Sequence, residues 1–258
     1  MALPHLPGPL GFAIGAALAE LEGLVGQPAG GWRPAPAAAW LLPAGEAALA
    51  VLEGLLAAQT PVAAGGRPGV PPDGVGITVK WKVAAHDDRR ERKVLELLLA
   101  RLPAAARLRL DANGGWDRPT AFAWAAQLAG DPRLEWLEQP LPPADQQGLE
   151  ALAQQLPVAL DESLRADPKL GQSWPGWQVR RPAVEGDPRP LLAELRAGRP
   201  RLMVSTALET GIGRRWVHHL AALQADGPTP TAPGLAPGWT PEGPLFAADP
   251  EQVWEAAG

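Results

Sequence analysis

Cysteine is absent from the 258 residues, so neither disulfides nor thiolate metal sites can form. That absence fits a reducing compartment, and a cytoplasmic location is expected. Tyrosine is absent too, phenylalanine occurs three times, and tryptophan reaches 11. The bias toward Ala, Arg, Pro and Trp fits GC-rich coding better than a physical demand. Basic residues are outnumbered, 23 Lys and Arg against 28 Asp and Glu, with a net charge of −5. No basic field exists to attract phosphates, which excludes a nucleic-acid partner. No apolar run reaches the roughly 20 residues of a membrane-spanning helix. The opening MALPHLPGPLGFAIGAALAELEGL lacks a basic leading segment, and Glu20 and Glu22 interrupt it, so no signal peptide or membrane partner is expected.

What the chain does have is 46% hydrophobic residues, enough for a substantial core. Helical spacing covers GFAIGAALAELEGLV (11–25) and EAALAVLEGLLAAQ (46–59), with a short strand at AAWLLPAG (38–45). Residues 61–75 hold many Gly and Pro and read as a loop. From 75 onward, short apolar strands alternate with helical stretches, which implies a parallel sheet. The eighth strand candidate, GPTPTAPGL (227–235), carries three prolines and is weak. DDRRER (87–92) reads as a solvated helix face, and DPEQVWEAA as a terminal helix.

A polar rhythm runs through this alternation. Lys82, Asp111, Glu138, Asp161, Arg181 and Ser205 each close an apolar run, in steps of 29, 27, 23, 20 and 24 residues. That is the period of a βα unit, and the carboxyl ends of barrel strands are where such folds keep their chemistry. A doubly wound open sheet is the rival, but no Gly-rich phosphate turn follows any strand.

Asp111, Glu138 and Asp161 would end three consecutive strands, about 4.8 Å apart. Bare, they would repel one another. A hard divalent cation removes that penalty, and an all-oxygen set suits Mg²⁺. Residues i and i+2 of a strand share a face, so Lys80 and Lys82 point inward together and Trp81 outward toward the helices. Paired, buried ammonium groups lower each other's pKa, and a lysine so tuned can abstract a proton from carbon. Beside Mg²⁺ on a substrate carboxylate, that proton removal gives a stabilised enediolate. Glu162 should face away, as an outer or capping residue.

The motifs TVKWK (78–82), LDANGGW (110–116), EWLEQPL (135–141), ALDES (159–163) and STALETGIG (205–213), with AWLLPAGEAAL (39–49), resemble the enolase superfamily. The likeness is to its muconate-lactonizing subgroup and, within that, to the cyanobacterial type of o-succinylbenzoate synthase. It implies a modified (β/α)7β barrel over residues 36–235, a remnant of a capping domain with its return helix over 1–35, and a C-terminal segment, 236–258, packing back. It also implies Mg²⁺-dependent dehydration of a small carboxylate, 2-succinyl-6-hydroxy-2,4-cyclohexadiene-1-carboxylate, to o-succinylbenzoate for menaquinone or phylloquinone. Lys82 becomes the base, Lys80 its partner at the substrate carboxylate, and Asp111, Glu138 and Asp161 the metal ligands.

Two departures from the family pattern stand out. The family carries a lysine where this chain has Arg181, before Pro182. Arginine stays protonated and cannot be a second base. Epimerases of the subgroup need two bases; a syn dehydration needs one. Arg181 therefore favours the synthase over an N-acylamino acid or dipeptide epimerase or a cycloisomerase, and would hold the enediolate by charge. Against the family pattern the chain is also expected to begin late, which leaves a truncated barrel without turnover as a further reading. Ser205, Thr206 and Gly211 suit a substrate carboxylate at a helix start or a plain helix cap. Asn113 either orients hydrogen bonds at the strand ends or makes the turn after its strand. His86, His218 and His219 read as surface or packing residues, and Trp116, Trp174 and Trp177 as packing.

Overall fold

The computed structural model describes residues 6–59 and 76–258. The expected loop at 61–75 lies outside the described residues. The chain forms two compact units, one of residues 39–178 and one of the segment up to Ala38 with 179–258.

The first helix, α1 (Gly8–Leu21), starts earlier than the apolar spacing suggests. Pro9 explains this, because a proline in the first turn forfeits only an N–H that has no helical partner. Gly23, at φ 67°, turns the chain away after Leu21.

Strand β1 (Trp40–Leu42) and helix α2 (Ala47–Gln59) open the 39–178 unit. Then follow β2 (Thr78–Lys82), α3 (Asp88–Arg101), β3 (Arg107–Asp111) and α4 (Arg118–Leu128). β4 (Leu134–Glu138), α5 (Gln146–Ala153), β5 (Val158–Leu160), α6 (Glu162–Ala166) and α7 (Leu170–Ser173) complete it. Three of these helices are capped by an aspartate accepting from an N–H of the first turn: Asp87 from Arg90, Asp117 from Thr120 and Asp145 from Gly148.

β6 (Trp177–Arg180) runs through the boundary between the units. Beyond it lie α8 (Pro182–Glu185), α9 (Arg189–Arg196), β7 (Leu202–Val204), α10 (Gly211–Ala225) and α11 (Pro250–Ala257). No eighth strand forms among the described residues. The 227–235 stretch contributes a single parallel bridge, Ser205 to Gly234, because its prolines cannot donate to a ladder.

In the 39–178 unit the strands pair in parallel and in chain order, from β1 to the first residues of β6. This is the α/β succession of a modified (β/α)7β barrel. Trp81 is fully buried on the helix side of β2, its ring centroid 6.4 Å from that of Trp124, which stacks at 4.9 Å on Trp116. Leu95, Leu98, Leu108, Leu110 and Leu128 close the same core, each burial contributing about 2 kcal/mol. The other unit gathers Phe12 and Ala16 of α1, Leu192 and Leu195 of α9, and Trp216, Val217 and Leu220 of α10.

The 87–92 stretch corrects the sequence reading at one residue. Glu91 is only 1% exposed, and its carboxylate accepts from the N–H groups of Ala84, Ala85 and His86 at 2.8, 3.0 and 3.0 Å. It lies on the face of α3 that carries Val94, Leu95 and Leu98, and it ties down the turn that follows Lys82.

Candidate active site

β2, β3 and β4 place the proposed chemistry side by side. In the ladder Lys82 is level with Asp111, and Asp111 with Glu138. Lys80 is level with Arg109, and Arg109 with Trp136. Each pair of residues two apart on one strand faces the same way, so two polar layers lie one above the other.

The upper layer is tightly bonded. Lys82 Nζ donates to Asp111 Oδ2 at 2.9 Å and to Asn113 Oδ1 at 2.8 Å. Lys80 Nζ donates to Asp111 Oδ2 at 3.0 Å and to Glu138 Oε1 at 2.9 Å. The side chains of Asp111 and Glu138 are closed to solvent, whereas that of Lys82 is 36% exposed. Of these three side chains, only that of Lys82 is partly open to solvent. Burial pushes the Asp111 carboxyl up, but the charges of Lys80 and Lys82 together outweigh it and hold the pKa below the ordinary 3.8.

Asn113 does both things the sequence allowed. Its φ of 46° makes the turn after β3, and its Nδ2 donates to Glu162 Oε1 at 3.0 Å. Glu162 is thereby an outer residue, as expected. Asp161 follows β5 and is 2% exposed, with Arg165 Nε 3.9 Å from its Oδ1.

The donor set of Asp111, Glu138 and Asp161 is all carboxylate oxygen, buried, at the ends of three consecutive strands. That chemistry fits a hard divalent cation such as Mg²⁺. Among the described residues no three acidic or histidine side chains are drawn into one metal-holding group. The ammonium groups of Lys80 and Lys82 supply the counter-charge to Asp111 and Glu138.

In the lower layer Lys80 was anticipated, but Arg109 and Trp136 were not. Arg109 is fully buried, its guanidinium 4.0 Å from the centroid of the Trp136 ring and its Nε 2.6 Å from Glu135 Oε2. Trp136 packs at 4.8 Å on Trp177 and donates Nε1–H to Glu138 Oε2 at 3.4 Å. The ladder skips Glu135 between Leu134 and Trp136, a bulge that lets its carboxylate turn to Arg109.

Arg181, Ser205, Thr206 and Gly211 belong to the other unit. Arg181 Nη1 donates to the Thr206 carbonyl at 2.7 Å. Ser205 Oγ donates to the Gly234 carbonyl at 3.0 Å. Thr206 Oγ1 bonds the Glu209 carboxylate at 3.0 Å, and that carboxylate also accepts from the Ala207 N–H. Gly211 opens α10 and must be glycine for space, since a Cβ there would lie 1.8 Å from the Ala247 carbonyl oxygen. His219 is buried packing, as expected, its Nδ1 accepting from the Arg33 N–H at 3.2 Å.

Parallel β/α units with lysines and carboxylates at the carboxyl ends of successive strands define a barrel-type fold, a class that keeps its chemistry at that end. The enolase C-terminal domain-like family model matches residues 76–169. The solved o-succinylbenzoate synthase of Thermosynechococcus elongatus BP-1, complexed with Mg in its active site, superposes with a TM-score of 0.67. It is 35% identical and matches over 87% of this chain and 68% of that one. The o-succinylbenzoate synthase of Thermosynechococcus vestitus is 44% identical over 153 residues, 55% of this chain and 48% of the relative. That of Mycolicibacterium smegmatis is 31% identical over 172 residues, 63% and 50%. The chain belongs to the enolase superfamily, and within it to the o-succinylbenzoate synthase family. It spans about half the length of these curated relatives. No helix among the described residues is long and apolar enough to cross a membrane.

Proposed function

We propose that this chain carries the machinery of an Mg²⁺-dependent dehydratase that converts 2-succinyl-6-hydroxy-2,4-cyclohexadiene-1-carboxylate to o-succinylbenzoate, on the route to menaquinone or phylloquinone. The observation that carries the reading is Lys82, whose side chain is partly open to solvent and whose Nζ lies 2.9 Å from a closed carboxylate of the strand-end set. Similarity to synthases, one of them solved with Mg, supports it.

Asp111, Glu138 and Asp161 would hold the cation, which supplies Lewis-acid stabilisation of negative charge on the substrate carboxylate. Lys80, donating already to two carboxylates, orients that substrate group. Lys82 removes the ring proton α to the carboxylate. The C–H electron pair moves into the ring, the C–O bond breaks, and the same ammonium returns its proton to the leaving hydroxyl on the same face. Water departs and the ring becomes aromatic. Asn113, fixed by Glu162, holds the Lys82 amine in place. Arg181, Ser205, Thr206 and Gly211 enter as substrate-holding groups through the family resemblance alone.

Incubation of the chain with this substrate and Mg²⁺, followed by ultraviolet absorbance, tests the reading. Aromatisation that Lys82→Ala abolishes while Mg²⁺ binding persists is the expected result. Exchange of the α-proton of N-succinylamino acids without dehydration would assign an epimerase instead.

A further inference from the structure

The structure assigns a positioning role to Gln139, the residue that ties the three carboxylate-bearing strand ends to one another; the inference rests on the metal reading above. Gln139 is fully buried and sits directly after Glu138, with φ 38°. Its Oε1 accepts from the N–H groups of Asp161 and Ser163 at 3.1 and 3.0 Å. Its Nε2 donates to Ser163 Oγ at 2.7 Å and to the Leu141 carbonyl at 2.9 Å. Its backbone N–H donates to the Ala159 carbonyl at 2.8 Å, and its carbonyl accepts from Gly114 N–H at 2.7 Å.

These bonds use both donors of the side-chain amide and two acceptor sites on its oxygen. The side-chain bonds join the loop after Glu138 to the backbone of Asp161 and Ser163, and the main-chain carbonyl of Gln139 reaches the turn after Asp111. Glutamate cannot replace it without loss, because a carboxylate has no donor for the Leu141 carbonyl. A bond made to the N–H of a ligand residue fixes where its carboxylate sits. Supports of this kind change metal affinity about 10- to 100-fold when removed.

The test is an Mg²⁺ titration by calorimetry, with thermal unfolding measured alongside, on the unsubstituted chain, Gln139→Met and Ser163→Ala. Gln224→Met is the matched control. Gln224 is an equally buried glutamine that accepts from Val204 N–H at 3.1 Å and donates to the Thr231 carbonyl at 2.7 Å, in the other unit. The expected result is Mg²⁺ affinity weakened at least tenfold by Gln139→Met and severalfold by Ser163→Ala, and unchanged in Gln224→Met despite a comparable loss of thermal stability. Should Gln139→Met fail to fold, Ser163→Ala carries the test. Affinity that stays within twofold in Ser163→Ala, and in Gln139→Met where it folds, overturns the role of Gln139 and leaves the metal reading standing. Absence of saturable Mg²⁺ binding by the unsubstituted chain overturns both.

Discussion

One ammonium, that of Lys80, lies 3.0 Å from Asp111 Oδ2 and 2.9 Å from Glu138 Oε1, bridging two carboxylates that solvent does not reach. Two adjacent buried anions are costly, and removing one partner of such an arrangement leaves uncompensated charge. The bridge therefore supplies positive charge to both carboxylates at once.

Lys80→Met should destabilise the chain by about 3 kcal/mol in the absence of divalent metal, measured by urea denaturation. The pH dependence follows from Asp111. Its lowered pKa contributes stability that is present above its ordinary 3.8 and lost as pH falls through the folded value. Without Lys80 the carboxyl titrates higher, so acid unfolding of the variant should begin at higher pH. An acid midpoint identical to that of the unsubstituted chain would contradict the bridge.

Glu91→Ala removes the acceptor of three backbone N–H groups at the turn after Lys82. A loss of about 1–2 kcal/mol is expected from urea midpoints, because three hydrogen bonds to a buried carboxylate are lost while the N–H groups of Ala85 and His86 lie on exposed residues that water can reach. A surface glutamate of the same helix, Glu96, should cost less than about 0.5 kcal/mol when replaced by alanine.

Arg109 and Glu135 form a pair 2.6 Å apart with the arginine fully buried. Arg109→Met alone should cost about 3 kcal/mol by leaving Glu135 without its guanidinium. The double variant Arg109→Met, Glu135→Leu should recover most of that loss. A double-variant cycle that sums additively would show that the two do not act as a unit.

His219 is held neutral by burial and by the nearby charges of Arg196 and Arg33, so its pKa lies below 6.5. The unfolded chain then binds a proton that the folded chain refuses. Stability is complete above 6.5 and declines as pH falls from there toward the folded value. His219→Asn keeps an acceptor for the Arg33 N–H but does not titrate. Between pH 7.5 and 5.5 the unsubstituted chain should lose up to about 1 kcal/mol more than this variant, by urea midpoint. His218, lowered by burial and by Arg214, titrates in both proteins and cancels in the comparison.

Six of the seven strands were legible as short apolar runs closed by a polar residue, β1 as one closed by Pro43, and the buried Trp81 between Lys80 and Lys82 obeys the alternation of a strand. The lysines, Asp111 and Glu138 were legible as residue types at a repeating interval, and Asn113 as a residue suited to the turn after its strand. Glu91 was hidden inside a run of charges, although its spacing of three, four and seven to Val94, Leu95 and Leu98 marks it as inward-facing. Gln139 lay in a quoted motif without a role. What a buried amide does depends on which backbone groups arrive around it, and pattern along the chain does not carry that. Arg109 was unreadable for the same reason, since its partner Glu135 is delivered by a skipped position in the ladder.

That skipped position divides the β3–β4 seam into two stretches with different tolerance. Ahead of Trp136, one residue more or fewer is absorbed by the irregularity already present. From Trp136 to Glu138 the ladder is even, so a single inserted residue there would swing Glu138 to the helix side and leave Lys80 facing leucine.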